Sequence, residues 1–222
     1  MNGNLYRITS IPYNPNGGFA SDSWKFNLST NTWTRLANAP SSNAAVFPHA
    51  GSGKILCVDR QTLYFGYYFY QTATNSFSAI KNVSVQWPDY FCLAYKPLTA
   101  TTGLLLISGS GKSFSSVVDW NAETITQTSR SLGAVSQSQA PGCVYDSATD
   151  RFWMFGARSN PGLVDEVNPS TWQVTPHSLS GDGVSFGSSY QGTYSRFVFM
   201  ESFRAIGFVP TASGPAFVMR LP

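Results

Sequence analysis

GCVYDSATDRFWMFGARSNPGLVDEVNPSTWQV, residues 142–174, decides how the chain is read. It holds four short apolar runs divided by turn-forming residues. Cys143 to Tyr145 stops at the polar run Asp146 to Asp150, and Phe152 to Phe155 stops at Gly156. A loop with Asn160-Pro161-Gly162 leads to Leu163 to Val167, the turn Asn168-Pro169-Ser170-Thr171 follows, and Trp172 to Val174 closes the unit. Runs this short, broken each time by Asp, Asn, Pro or Gly, predict a four-stranded antiparallel meander. One such sheet cannot cover both of its faces, so it needs others like itself.

The chain supplies them. A polar turn followed by a large apolar residue recurs at Trp33, Phe77, Ile125 and Trp172, at separations of 44, 48 and 47 residues. A second series keeps step with it: Leu5 to Ile8, Ile55 to Val58, Leu104 to Ile107, Phe152 to Phe155 and Ala205 to Val209. A period of this size with four strands per unit is that of a propeller blade. The expectation is an all-β fold: one β-propeller domain over 1–222 with about five four-stranded antiparallel blades, at about 1–40, 41–86, 87–135, 136–180 and 181–222. Strands count three, four, four, four and three, so the terminal blades are incomplete. The expected remedies are pairing between the two ends or assembly with other chains, since open strand edges are sticky.

The run YDSATDRFWMFG, a loop and then DEVNPSTWQV resembles a Kelch-type blade, as found also in galactose-oxidase-like propellers. The resemblance covers most of the chain and is clearest over 19–40 and 142–176. Kelch blades close their second strand with a glycine pair; here that place reads Gly109-Ser110 and Gly156-Ala157, with no counterpart after Ile8 or Val58.

Composition narrows the function. Aromatic residues number 33 (6 Trp, 11 Tyr and 16 Phe), suited to the gaps between twisted sheets. Only 11% of residues are charged, which leans towards a virion-surface or extracellular β-protein. A net charge of +3 without a Lys/Arg run argues against nucleic acid. No run of 18 apolar residues occurs, so no membrane insertion is expected, and the start MNGNLYRITS does not read as a leader. Cys57, Cys92 and Cys143 lie in apolar strands without metal-ligand spacing and are expected as buried free thiols.

Candidate chemistry is sparse. His49 and His177 are the two histidines, too few for a His-rich metal site, and no GxSxG, HExxH or phosphate loop is present. Asp165 and Glu166 are neighbours in a strand and so point to opposite faces; Asp146 and Asp150 bracket a turn, where Asp bonds to backbone. No cofactor, metal or catalytic residue is expected. What stands out is a sidedness of charge. The edge carrying the loops after the second strands and between blades collects Arg60, Lys81, Lys112, Arg130 and Arg158 with Trp87, Tyr90 and Phe114. The opposite edge mixes Asp146, Asp150, Glu123 and Glu201 with Lys54, Lys96, Arg151 and Arg204. Arg60, Lys112, Arg158, Trp87 and Tyr90 are therefore the expected ligand-binding residues of a non-enzymatic recognition or structural module whose partner is a glycan or protein. The alternative is a propeller hydrolase or oxidase with its site at the central channel.

Overall fold

A computed structural model describes residues 3–8, 22–41, 44–49, 51–59, 66–83, 87–88, 91–133, 141–155, 163–178, 197–209 and 216–221. These form five antiparallel sheets. The first is β1 (Asn4–Ile8), β2 (Ser23–Asn27) and β3 (Thr32–Arg35). In the second, β4 (Ala44–His49), β5 (Lys54–Asp59) and β6 (Gly66–Gln71) are followed by β7 (Ser76–Phe77) and β8 (Lys81–Asn82), which both pair with β6 and share the place of one fourth strand. β9 (Cys92–Pro97), β10 (Thr102–Gly109), β11 (Lys112–Asp119) and β12 (Thr124–Arg130) form the third. The fourth is β13 (Gly142–Asp146), β14 (Arg151–Phe155), β15 (Leu163–Val167) and β16 (Val174–Ser178), and the fifth is β17 (Phe197–Met200), β18 (Ala205–Phe208) and β19 (Phe217–Arg220). Among the described residues, with β7 and β8 counted as one, the sheets hold three, four, four, four and three strands, as the sequence predicts.

The repeat is carried by one turn. Left-handed residues stand at Asn31, Asn75, Glu123 and Trp172, spaced 44, 48 and 49 apart, each just before the fourth-strand place of its sheet. In three of the four turns, the side chain four residues earlier caps the turn. Asn27 Oδ1 accepts from the amides of Ser29 and Thr30, Asp119 Oδ1 from Asn121 and Ala122, and Asn168 Oδ1 from Ser170 and Thr171. A side-chain oxygen thus replaces the ladder partners that the backbone lacks as it reverses. This corrects one equivalence. Trp172 does not open a strand; it occupies the left-handed turn position (φ 61°), its amide donating to the Asn168 carbonyl at 2.8 Å, and Val174 is the true counterpart of Trp33.

The chain packs as two compact units. The first comprises residues 1–86 with 99–102 and 119–125. Its core joins Ile8, Leu36 and Ala39 to Ile55, Cys57, Tyr68 and Tyr70. Ile55 to Val58 and Tyr67 to Tyr70 are buried throughout, which explains why these strands read as continuous apolar runs rather than alternating ones. The turn between β11 and β12 is anchored here by Trp120, which is fully buried, stacked on His49 (4.6 Å, 9°) and edge-on to Phe69 (5.6 Å, 80°). Lys54 Nζ donates to the Trp120 carbonyl and pairs with Glu123 Oε1, both at 2.8 Å, while Lys81 Nζ donates to the Glu123 carbonyl at 2.7 Å. Lys81 and Glu123, expected on opposite edges, therefore meet.

The second unit comprises residues 87–98, 103–118 and 126–222. One core lies between the third and fourth sheets, with Cys92, Ala94, Leu104 and Leu106 against Cys143, Phe152, Met154 and Val167. Another joins Trp153, Phe155 and Val164 of the fourth sheet to Phe197, Ile206 and Phe208 of the fifth. β14 thus feeds a core from each face, and the period-two rule divides its residues between them.

Candidate recognition surface

The turn edge of the sheets is electrostatically self-contained. In the second unit the buried Asp146 accepts from the Ala148 amide (2.9 Å) and the Thr149 hydroxyl (2.6 Å) and faces Arg204 Nη2 at 3.5 Å. Lys96 pairs with Asp150 and holds its carboxyl below the usual carboxylate range; the Tyr145 hydroxyl donates to the same carboxyl, and burial pushes that phenol up to about 12. Glu166 accepts from Arg151 Nε at 2.7 Å and meets His177 Nε2 at 2.9 Å. Ser147 Oγ donates to Glu201 at 3.1 Å. Asp165 and Glu166 do lie on opposite faces, across from Met154 and Trp153 respectively. Carboxylates held in turns and ion pairs fix backbone geometry, and each has its charge already answered.

The loop edge is less rich than expected. Arg60, Tyr90 and Arg158 lie outside the described residues. Lys112 is exposed at the start of β11, beyond the left-handed pair Ser110 and Gly111 (φ 46° and 80°). Trp87 is fully buried, with its ring edge-on to Phe91 (6.1 Å, 64°), so it offers no face to a ligand. Phe114 is buried too. Arg130 lies over Trp172 at 4.7 Å and donates to Ser115 Oγ at 2.8 Å. Trp87 and Phe114 follow the larger gain, which is to leave water altogether.

Exposed aromatic surface lies elsewhere. In the first sheet, cross-strand register aligns Leu5, Phe26 and Trp33 in one row and Arg7, Trp24 and Arg35 in the next, both on the same face. Leu5 and Trp33 are each 55% exposed, although the repeat gives Trp33 the place of Phe77, which packs on a core. Phe26 and Trp33 touch at 4.9 Å, Trp24 Nε1 donates to Asp22 at 2.7 Å, and Arg35 reaches Asn38 at 3.3 Å. The opposite face, through Tyr6 and Ile8, joins the core.

No family model matches the chain, and no curated protein matches it. Among solved structures, YjhT superposes with a TM-score of 0.62 at 15% identity, covering 98% of this chain and 77% of that one. The nidogen/laminin complex superposes with a TM-score of 0.51 at 8% identity, covering 90% and 72%. The fold is a five-blade β-propeller.

Equivalent positions in the blades show what is distinctive about the first. Its row Leu5, Phe26, Trp33 corresponds to Ile55, Tyr70, Phe77 in the second blade and to Phe152, Val167, Val174 in the fourth, where those residues pack in cores. Arg7 stands where the second and fourth blades bury Cys57 and Met154, each 0% exposed. Chemically, this face sets flat rings in one row beside guanidinium groups in the next. Sequence reading missed it because Trp24, Phe26, Trp33 and Arg35 share a face only once the β2–β3 register is known; the alternation SWKFN and TWTR was the available signal. Among the described residues no cluster of His, Cys, Asp and Glu is placed to hold a metal ion. The His177–Glu166–Arg151 group packs on Trp153, whose ring lies 5.3 Å from the imidazole.

Proposed function

We propose that the chain is a non-enzymatic recognition module of a virion or cell-exterior surface, with Kelch-type blades, and that it binds an acidic glycan on the exposed face of its first blade. The observation that carries this reading is Arg7 at a place where the second and fourth blades bury Cys57 and Met154, with the exposed Trp33 in the adjoining row. A sugar's apolar face can rest on the Trp33 and Phe26 rings while a carboxylate takes two parallel hydrogen bonds from a guanidinium. Exposed charge contacts are individually weak, so binding is salt-sensitive and needs several side chains together. The test is a titration with a uronic-acid-containing oligosaccharide and its neutral counterpart at low and high salt. Trp33→Ala and the double variant Arg7→Ala/Arg35→Ala should each lose most of the affinity for the acidic sugar. Unchanged binding in both would remove this face from consideration.

The loop edge with Lys112, Arg60, Arg158 and Tyr90 is a second reading, supported by the exposure of Lys112 beyond its turn. It is separated by the triple variant Arg60→Ala/Lys112→Ala/Arg158→Ala, which on the first reading binds as the parent does.

A further inference from the structure

The third and fourth blades bring two thiols together. Cys92 lies in β9 and Cys143 in β13, the first strands of their sheets, which pack against each other. Both side chains face the core between the blades, are almost fully buried and share it with Leu106, Phe152 and Met154. Cys92 lies near enough to Cys143 to contribute, after burial, to raising its thiol. Cys57 is different: it belongs to the other unit, and its thiol donates to the Ile55 carbonyl at 3.8 Å. Two thiols that enter one core from packed neighbouring strands are placed as a disulfide between the strands requires.

We propose that Cys92 and Cys143 form a redox modification site, at which a small peroxide closes a disulfide between the first strands of the third and fourth blades. One thiol loses its proton and its sulfur attacks a peroxide oxygen. The O–O bond breaks, hydroxide leaves and takes up the proton as water, and a sulfenic acid remains. The second sulfur then attacks the sulfenic sulfur, the S–O bond breaks, and its proton leaves with the hydroxide as a second water. Two thiols and one hydrogen peroxide give one disulfide and two waters. Burial raises the Cys143 thiol well above its ordinary range, which keeps the reactive thiolate scarce at neutral pH; the reaction is slow there and quickens as pH rises. The bond would span 51 residues of chain, long enough for a marked effect on the unfolded state.

The experiment treats the folded protein with hydrogen peroxide, removes the excess with catalase, unfolds the protein and alkylates it. Oxidation of methionine in the same sample shows that the peroxide acted. The expected result is loss of two hydrogens in the intact mass, one alkylated cysteine at Cys57, and a tryptic link between peptides 82–112 and 131–151. The urea midpoint of the linked protein should rise by an amount on the order of 1–2 M. Cys143→Ser should abolish both the link and the rise. Three alkylated cysteines in a sample with oxidised methionine would overturn the proposal. So would a link to Cys57, or a sulfinic acid at either position without a link. Because the link is mapped in the parent protein, the result does not depend on the variant folding.

Discussion

Trp120 and Trp33 provide a paired test of how the blades are held. Trp120 is fully buried between His49 and Phe69, whereas Trp33 is 55% exposed and rests on Phe26. Truncating Trp120 to Ala returns roughly 200–250 Å² of ring surface to the balance; at ~25 cal/mol per Å², less 10–40% for a compact unfolded chain, that is about 3–5 kcal/mol, in line with other buried Trp→Ala changes. Trp33→Ala involves about half that area and leaves no closed cavity, so its cost is at most about 2 kcal/mol. With a urea slope of about 2 kcal/mol per M, the two midpoints should differ by on the order of 1 M. Far-UV circular dichroism read against urea measures both. If Trp33→Ala destabilises as much as Trp120→Ala, Trp33 is a core residue and its place on a recognition face is wrong.

Other consequences are equally direct. Lys54→Met and Glu123→Gln each remove one side of a partly buried pair that fixes the β11–β12 turn; a double-mutant cycle should give a coupling of about 1 kcal/mol, against near zero for an exposed pair. The Tyr95 ring lies over Gly103, and a Cβ there would run into it, so Gly103→Ala should cost about 1–3 kcal/mol by urea unfolding, with less than additive loss when combined with Tyr95→Ser. Burial lowers the pKa of His49, whose Nδ1 accepts the Ser52 amide at 3.2 Å and is therefore neutral in the fold. A base with a depressed folded pKa contributes stability that is complete above 6.5 and declines as pH falls from there towards the folded value; His49→Gln should flatten the decline between pH 7 and 5 in thermal melts.

The blade count and most strand positions were legible because their causes are local. A capping Asn or Asp and a left-handed residue four positions on need only their own backbone, so they recur visibly at Asn27–Asn31, Asp119–Glu123 and Asn168–Trp172. Trp172 misled by two positions because an aromatic residue in the left-handed turn place looks, in sequence, like the residue that opens the next strand. The candidate recognition residues were harder to read. Whether Trp87 faces water or the interior depends on what packs above it, and Lys81 reaches Glu123 across 42 residues of sequence. Neither fact leaves a mark in composition or spacing.

The same contrast explains why the first blade is the one to examine for a ligand. Within the repeat, Leu5, Ile55 and Phe152 are equivalent, as are Arg7, Cys57 and Met154. Where a row is to be covered by another sheet, apolar side chains gain from burial, and a guanidinium there would have to be stripped of water without adequate return. Arg7 beside Trp24 is therefore ill suited to an apolar cover of the kind that Cys57 and Met154 receive. Yet Phe26 and the half-exposed Trp33 in the adjoining row are poorly matched to water alone. A surface with rings in one row and guanidinium groups in the next is satisfied by a partner that is itself divided, with apolar C–H faces and carboxylates a few ångströms apart. An acidic sugar has that division within one residue, and an apolar sheet does not.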